Sequence, residues 1–225
     1  MSALYLRQPG DLIAHYRVRR WLGAGAEGSV YLVTDLRDGA LRTLKVFRGR
    51  NILDDAEHTA AHYRKLAAVP TLKMFREWGV ITGQRGVGLR AWMCFDFIRG
   101  ETLASRIEKR RVRSPLHVLT AVCEALAPIH RRGFAIGDFD RERNILVERG
   151  TGLIRFCDLD AGGPDESPPK YEDDVQELLR LARRLCRTAG LSVSRDVLTT
   201  IASSSSAMQI GRRLRRLATP KARPP

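Results

Sequence analysis

His130-Arg-Arg-Gly-Phe-Ala-Ile-Gly137-Asp138-Phe-Asp140-Arg-Glu-Arg-Asn144-Ile-Leu-Val147 is the stretch on which the fold turns. Upstream of it, Val118, Ala121, Val122, Ala125, Leu126 and Ile129 recur at helical spacing, so a helix over 116–131, opened by Pro115, runs into it. Downstream, 145–147 and 153–156 read as two short strands, and Asp158-Leu-Asp160 follows the second. A carboxylate and a carboxamide therefore lie in a loop between helix and strand, with another carboxylate one hairpin further on.

Further toward the N-terminus stands Trp21-Leu-Gly23-Ala-Gly25-Ala-Glu-Gly28-Ser-Val30-Tyr. A GxGxxG run alone is weak, and a dinucleotide fingerprint needs a helix directly after it. Here 29–34 is β-branched and aromatic, so strand follows strand, and glycines between two strands let backbone N–H groups approach phosphates closely. Seventeen residues past Gly28 comes Lys45, a lone cation in the apolar strand 41–47. A buried ammonium needs an anionic partner, and phosphate oxygens would serve. A helix is expected over 54–68, from Ala56, Ala60, Tyr63, Leu66 and Ala67, ahead of Pro70. Two or three strands should follow over 71–98, the last from Ala91. After Gly100 the period becomes helical: a basic helix over 101–112, the helix already named, another over 173–188, and a final helical run over 194–217 broken by serines 203–206.

Taken together these segments resemble the eukaryotic-like protein kinase superfamily, in its compact bacterial form. The glycine run resembles the nucleotide-covering loop, and Cys94-Phe95-Asp96-Phe-Ile98 the inter-lobe hinge. The opening stretch resembles the catalytic loop, Asp158-Leu-Asp160 the metal-binding segment, and Asp173-Asp174 the start of the helix whose buried Asp steadies the catalytic loop. The resemblance implies an α+β, bilobal fold: an N-terminal extension (1–15), a β-rich N-lobe (16–98), a truncated helical C-lobe (99–218) and a tail (219–225). It implies ATP with Mg²⁺ or Mn²⁺. Gly23, Gly25, Gly28, Val30 and Lys45 would face the nucleotide, with Phe95, Asp96 and Ile98 about the adenine. Asn144 and Asp158 would hold metal, Asp138 would orient the acceptor hydroxyl, and Glu57 would pair with Lys45, His62 being the other position to which counting leads. Phosphoryl transfer asks mainly for positioning and charge neutralisation, and this set supplies both.

Departures from the family pattern narrow the reading. Gly137 replaces an arginine, which removes the guanidinium that would read a phosphorylated activation loop. The interval from Asp138 to Asn144 is one residue longer than usual, and Asp140 stands where a lysine is normal, with Arg141 or Arg143 available to restore the charge. Asp160 replaces a glycine, as a turn cap or an added metal ligand. Asp174 follows Asp158 at an interval of only 16, too short for the platform that holds an extended peptide. Three functions fit: a Ser/Thr protein kinase acting on a folded protein surface, a lipopolysaccharide or small-molecule sugar kinase, and a nucleotide-binding pseudokinase serving as an interaction module.

Composition sets the outer bounds. With 44% hydrophobic residues in 225, one sizeable core or one split between two lobes is within reach, and wholesale disorder is excluded. Apolar runs such as 91–95 are far below the roughly 20 residues of a membrane span. Met1 to Gly10 carries Arg7 and Pro9 where a signal peptide needs apolar continuity, so a cytoplasmic protein is expected, or an effector secreted by another signal. The net charge of +14 admits an acidic protein surface or an anionic membrane as partner; once the motifs are read, nucleic acid is not expected. Two basic segments stand out, 99–113 and 211–223. Cys94, Cys123, Cys157 and Cys186 have no metal-ligand spacing and read as buried free thiols. Oligomeric state has no signature.

Overall fold

The computed structural model describes residues 7–25, 27–48, 52–82, 89–137, 139, 143–159, 170–189, 195–204 and 206–218. They fall into two compact units, the first running to Ala67 and over Lys73–Ile98, the second comprising Ala68–Leu72 and the residues from Arg99 on.

The first unit is a six-stranded antiparallel sheet of β1 (Leu12–Ile13), β2 (Tyr16–Ala24), β3 (Gly28–Asp35), β4 (Leu41–Phe47), β5 (Phe75–Thr82) and β6 (Leu89–Asp96), in the order β1-β2-β3-β4-β6-β5. Strand alternation divides its residues between two faces. Tyr16, Val18, Tyr31, Val33, Leu44, Trp92 and Cys94 make one buried cluster, joined by Ile13 from β1, a strand within the expected extension. The other face carries Val30, Lys45 and Met93 in register across three strands, with Phe95 one repeat along β6. Helix α1 (Ile52–Lys65) packs on β5 and β6. Ala56, Ala60 and Tyr63 are buried, and the Tyr63 ring meets Phe95 at 4.9 Å. The helix stops three residues short of the expected Ala68; Leu66 is buried from the turn beyond it.

The second unit holds a three-stranded sheet of β7 (Gly100–Thr102), β8 (Ile145–Glu148) and β9 (Ile154–Phe156), with helices α2 (Leu103–Glu108), α3 (Pro115–His130), α4 (Tyr171–Ala189), α5 (Arg195–Ala202) and α6 (Ala207–Ala218). The basic helix expected over 101–112 is much shorter. Its first residues pair with β8 as β7, and Thr102 caps what remains, its Oγ1 accepting from Ser105 N at 3.1 Å. At the other end Arg110 adopts φ +53°, and the N–H groups of Arg110 and Arg111 return to Ile107 and Arg106 O at 2.9 and 2.8 Å, which closes the helix as a Schellman turn. The serine break appears where expected, between α5 and α6, with Ser206 Oγ accepting from Gln209 N. In α6, Ile210 and Leu214 are buried, and a Cβ at Gly211 would sit 3.3 Å from Cys123 Cβ, so the missing side chain lets α6 lie close on α3. Arg212, Arg213, Arg215 and Arg216 face outward, and Arg215 pairs with Glu124, so the described part of this basic segment is a solvated helix face.

All four cysteines are free; Cys94 and Cys123 are buried as expected, whereas Cys157 and Cys186 are half-buried. Burial pushes the Cys94 thiol up to about 11, which makes it a packing group. Among the described residues no helix is long and apolar enough to cross a membrane.

Candidate active site

In the first unit the glycine run forms the turn of the β2–β3 hairpin, where Gly25 N–H donates to Gly28 O at 2.9 Å. Its three glycines have different reasons. A Cβ on Gly28 would lie 2.2 Å from Val46 O, so the β3–β4 pairing excludes any side chain there. At Gly23 and Gly25 a Cβ would meet nothing within 4 Å, so the sheet's packing does not require these glycines, and the missing side chains leave room for a ligand to come close to the backbone. Val30, half-buried, stands beside Lys45 on the neighbouring strand.

Lys45 is largely buried, its side chain 13% exposed, and its Nζ donates to Glu27 Oε2 at 2.5 Å while lying 5.1 Å from the Phe47 ring centre. Glu27 belongs to the glycine run itself and was not singled out from the sequence. Its only signal there is position: β3–β4 pairing carries the residue before Gly28 past the end of Phe47, close to the Lys45 side chain. Glu57 lies exposed on α1, and His62, half-buried, has its Nδ1 3.0 Å from His58 O.

At the end of β6, Phe95 is buried against Tyr63 and Phe75, with Lys73 Nζ 4.6 Å from its ring centre. The Asp96 carboxylate receives a two-pronged contact from Arg76, at 2.7 and 2.6 Å, which raises the Arg76 pKa. Asp96 N–H donates to Met74 O at 2.9 Å, whereas Phe97 and Ile98 make no backbone hydrogen bond among the described residues.

The second unit holds the loop residues. Asp174, fully buried in the first turn of α4, accepts from Ile136 N at 3.1 and 3.0 Å through its two oxygens and from Gly137 N at 2.8 Å; His130 Nε2 lies 2.6 Å from its Oδ2. Tyr171 stands edge-on to His130 at 5.1 Å, and burial pushes its hydroxyl up to about 12. Gly137 has φ +82°, a conformation that an arginine in its place would strain to adopt. Asp138 lies outside the described residues, as do Asp140, Arg141 and Asp160, but both flanks of Asp138 are fixed. Gly137 is held by Asp174, and Phe139 is fully buried with its ring 5.8 Å from Phe156.

Asn144 and Asp158 are brought together by the β8–β9 pairing. Ile145 is in register with Phe156, and Cys157 N–H donates to Asn144 O at 2.9 Å, so the two half-buried side chains leave adjoining ends of paired strands. One carboxamide and one carboxylate oxygen suit a hard, oxygen-seeking dication such as Mg²⁺ or Mn²⁺.

No protein-family model matches the chain. Serine/threonine-protein kinase 16 of Rattus norvegicus is 25% identical over 165 residues, 70% of this chain and 52% of that protein, so the chain spans about half the length of this curated relative. Crystal structures of the Mycobacterium tuberculosis PknI kinase domain superpose with TM-scores of 0.69 and, for a single-substitution variant, 0.72. Sequence identity is 19% and 20%, and the matches cover 94% and 95% of this chain and 99% and 100% of those. The chain has the fold of the protein-kinase superfamily, a β-rich unit followed by a compact helical one.

Proposed function

We propose that the chain is an ATP-dependent serine/threonine protein kinase that recognises its substrate as a folded surface. The carrying observation is Asp174, whose carboxylate holds the backbone immediately before Asp138 while the β8–β9 pairing sets Asn144 beside Asp158. Protein kinases work with ATP and a divalent metal. Here Asn144 and Asp158 would hold Mg²⁺ or Mn²⁺, which, when bound, screens charge on the phosphate oxygens.

The residues of the chain do the rest. Asp138 orients the acceptor hydroxyl and takes up its proton. The Asp174 clamp keeps that carboxylate from wandering with the loop. Lys45 leaves Glu27 for the phosphate oxygens, so its ammonium has an anion in both states, and the absence of side chains at Gly23 and Gly25 lets the same phosphates come close to the backbone. The short interval between Asp158 and Asp174 leaves no platform for an extended peptide, which favours a folded acceptor over a linear motif.

The test is transfer of the γ-phosphate from Mg-ATP to protein acceptors and, in parallel, to lipopolysaccharide sugars. Asp138→Asn and Asp158→Ala are each expected to lower Ser/Thr labelling by at least about 100-fold, with Asp138→Asn still binding nucleotide. Labelling of sugars alone, or labelling unchanged in both variants, would sink the proposal.

A further inference from the structure

The basic segment 99–113 finds a use in the second unit that phosphoryl transfer does not explain. Between α2, the N-terminus of α3 and the β8–β9 pair lies a cavity of about 590 Å³, the size of a specific ligand pocket. Leu103, Val118, Ala121, Val147 and Ile154 make its floor apolar, and Arg106, Arg110, Arg111 and Arg113 stand around it with His117. Only Arg111 is matched, by Glu101 at 2.7 Å; among the described residues no carboxylate forms an ion pair with Arg106, Arg110 or Arg113. The 16-residue α3 opens on the same cavity with no acidic residue in its first turn, so its positive end is uncompensated there. Arg110 adds an independent sign. It occupies the left-handed position of the Schellman turn, where glycine is the relaxed choice, and its side chain lines the cavity.

We infer that this recess docks an acidic segment of a partner protein, one aliphatic side chain entering the apolar floor while flanking carboxylates meet Arg106, Arg110 and Arg113. A peptide fits the shape and charge better than the other anionic polymers. Among the described lining residues His117 is the one ring, with no Phe, Tyr or Trp to stack bases, and Leu153, between the lining residues Gly152 and Ile154, is a single exposed apolar side chain, too little to anchor in a bilayer. The inference borrows from the proposed kinase activity only the expectation of a protein partner, and its readout is binding, so the two can fail separately.

The experiment is fluorescence anisotropy of the whole chain with a labelled Asp/Glu peptide of about twelve residues carrying two leucines. Its Leu→Ser and all-Lys counterparts, phosphatidylserine vesicles and a single-stranded oligonucleotide serve as competitors. The acidic leucine peptide should bind in the micromolar range, weaken as salt rises, and lose about tenfold with the double variant Arg106→Glu, Arg113→Glu and again with the Leu→Ser peptide. Arg110→Gly should weaken binding several-fold while leaving the melting temperature nearly unchanged, since relief of the left-handed strain and the wider unfolded ensemble of glycine oppose each other, a combination that a merely structural role for Arg110 would not give. Binding indifferent to both the arginines and the leucines would reduce the recess to diffuse attraction and overturn the inference. So would vesicles or oligonucleotide binding more tightly than the peptide through the same arginines.

Discussion

Asp35 and Asp174 are both buried carboxylates, 2% and 0% exposed, yet they are satisfied in opposite ways. Asp35, at the end of β3, is held by Arg37, whose Nε and Nη2 reach it at 3.0 and 2.7 Å and whose own N–H donates at 3.0 Å. The same guanidinium extends to Glu77 at 2.6 Å; Glu77 in turn takes the Tyr16 hydroxyl and lies 3.0 Å from His15 Nε2. The bonds that satisfy the two carboxylates across the sheet all come from side chains. Asp174 instead accepts two backbone N–H groups from 37 and 38 residues away. A side-chain network decides how firmly strands are tied, whereas a carboxylate on backbone amides decides where a loop runs. The first unit therefore spends its buried charge on stability and the second on position.

The variant with the largest expected effect is Asp174→Ala. It orphans two backbone donors and a histidine in a dry site, at a cost of about 3 kcal/mol, read as a shift in the urea midpoint. Asp174→Asn keeps an oxygen for the amides, so it should recover most of the stability and still transfer phosphate poorly, since the loop loses one of its two anchoring oxygens. If Asp174→Asn proved as active as wild type, the positional role would be gone.

Asp35→Asn tests the other side of the comparison, with an expected loss of about 2 kcal/mol and no change in phosphotransfer per folded molecule. The sign with pH follows from the charge. The hydrogen bond from Arg37 holds the Asp35 carboxyl down to about 2, against the opposing effect of burial. A depressed carboxylate contributes in full above its unfolded value near 4, and the contribution disappears as pH falls through about 2. Wild type should therefore lose roughly 2 kcal/mol more than Asp35→Asn between pH 5 and pH 2 in urea titrations, and equal slopes would remove the network from the stability account.

These two carboxylates also mark what the sequence discloses. Asp174 was legible because its helix and the loop it serves lie in a recognisable order, and the sheet was legible because Tyr31, Val33 and Leu44 alternate with less buried neighbours. The Asp35 group was not, since β5 reaches it only through the sheet order, with β6 intervening between β4 and β5. Glu27 on Lys45 escaped for a similar reason: cross-strand register brings the pair together. The early end of α2 has no local signal at all. A glycine would have announced the turn, and Arg110 stands there. Strand β7 is three residues long and owes its place to Gly100, where a Cβ would lie 2.5 Å from Val147 O.

The finest contrast between the two regions lies in their left-handed residues. Gly137 has φ +82° under the Asp174 clamp, and Ala14 has φ +50° in the turn that presents His15 to Glu77. Gly137→Ala introduces a Cβ in a conformation that disfavours it, which should cost about 1 kcal/mol or more, or about 2–4 °C in melting temperature. Because the same residue leads into Asp138, phosphotransfer should fall as well. Ala14→Gly removes comparable strain, but glycine also widens the unfolded ensemble by about 0.4–1 kcal/mol, so the two effects should nearly cancel. A loss at Gly137 beside near-neutrality at Ala14 would follow if strain is tolerated where side chains tie strands and avoided where backbone must be placed. If Gly137→Ala melted and turned over like wild type, the Asp174 clamp would not be fixing the backbone ahead of Asp138.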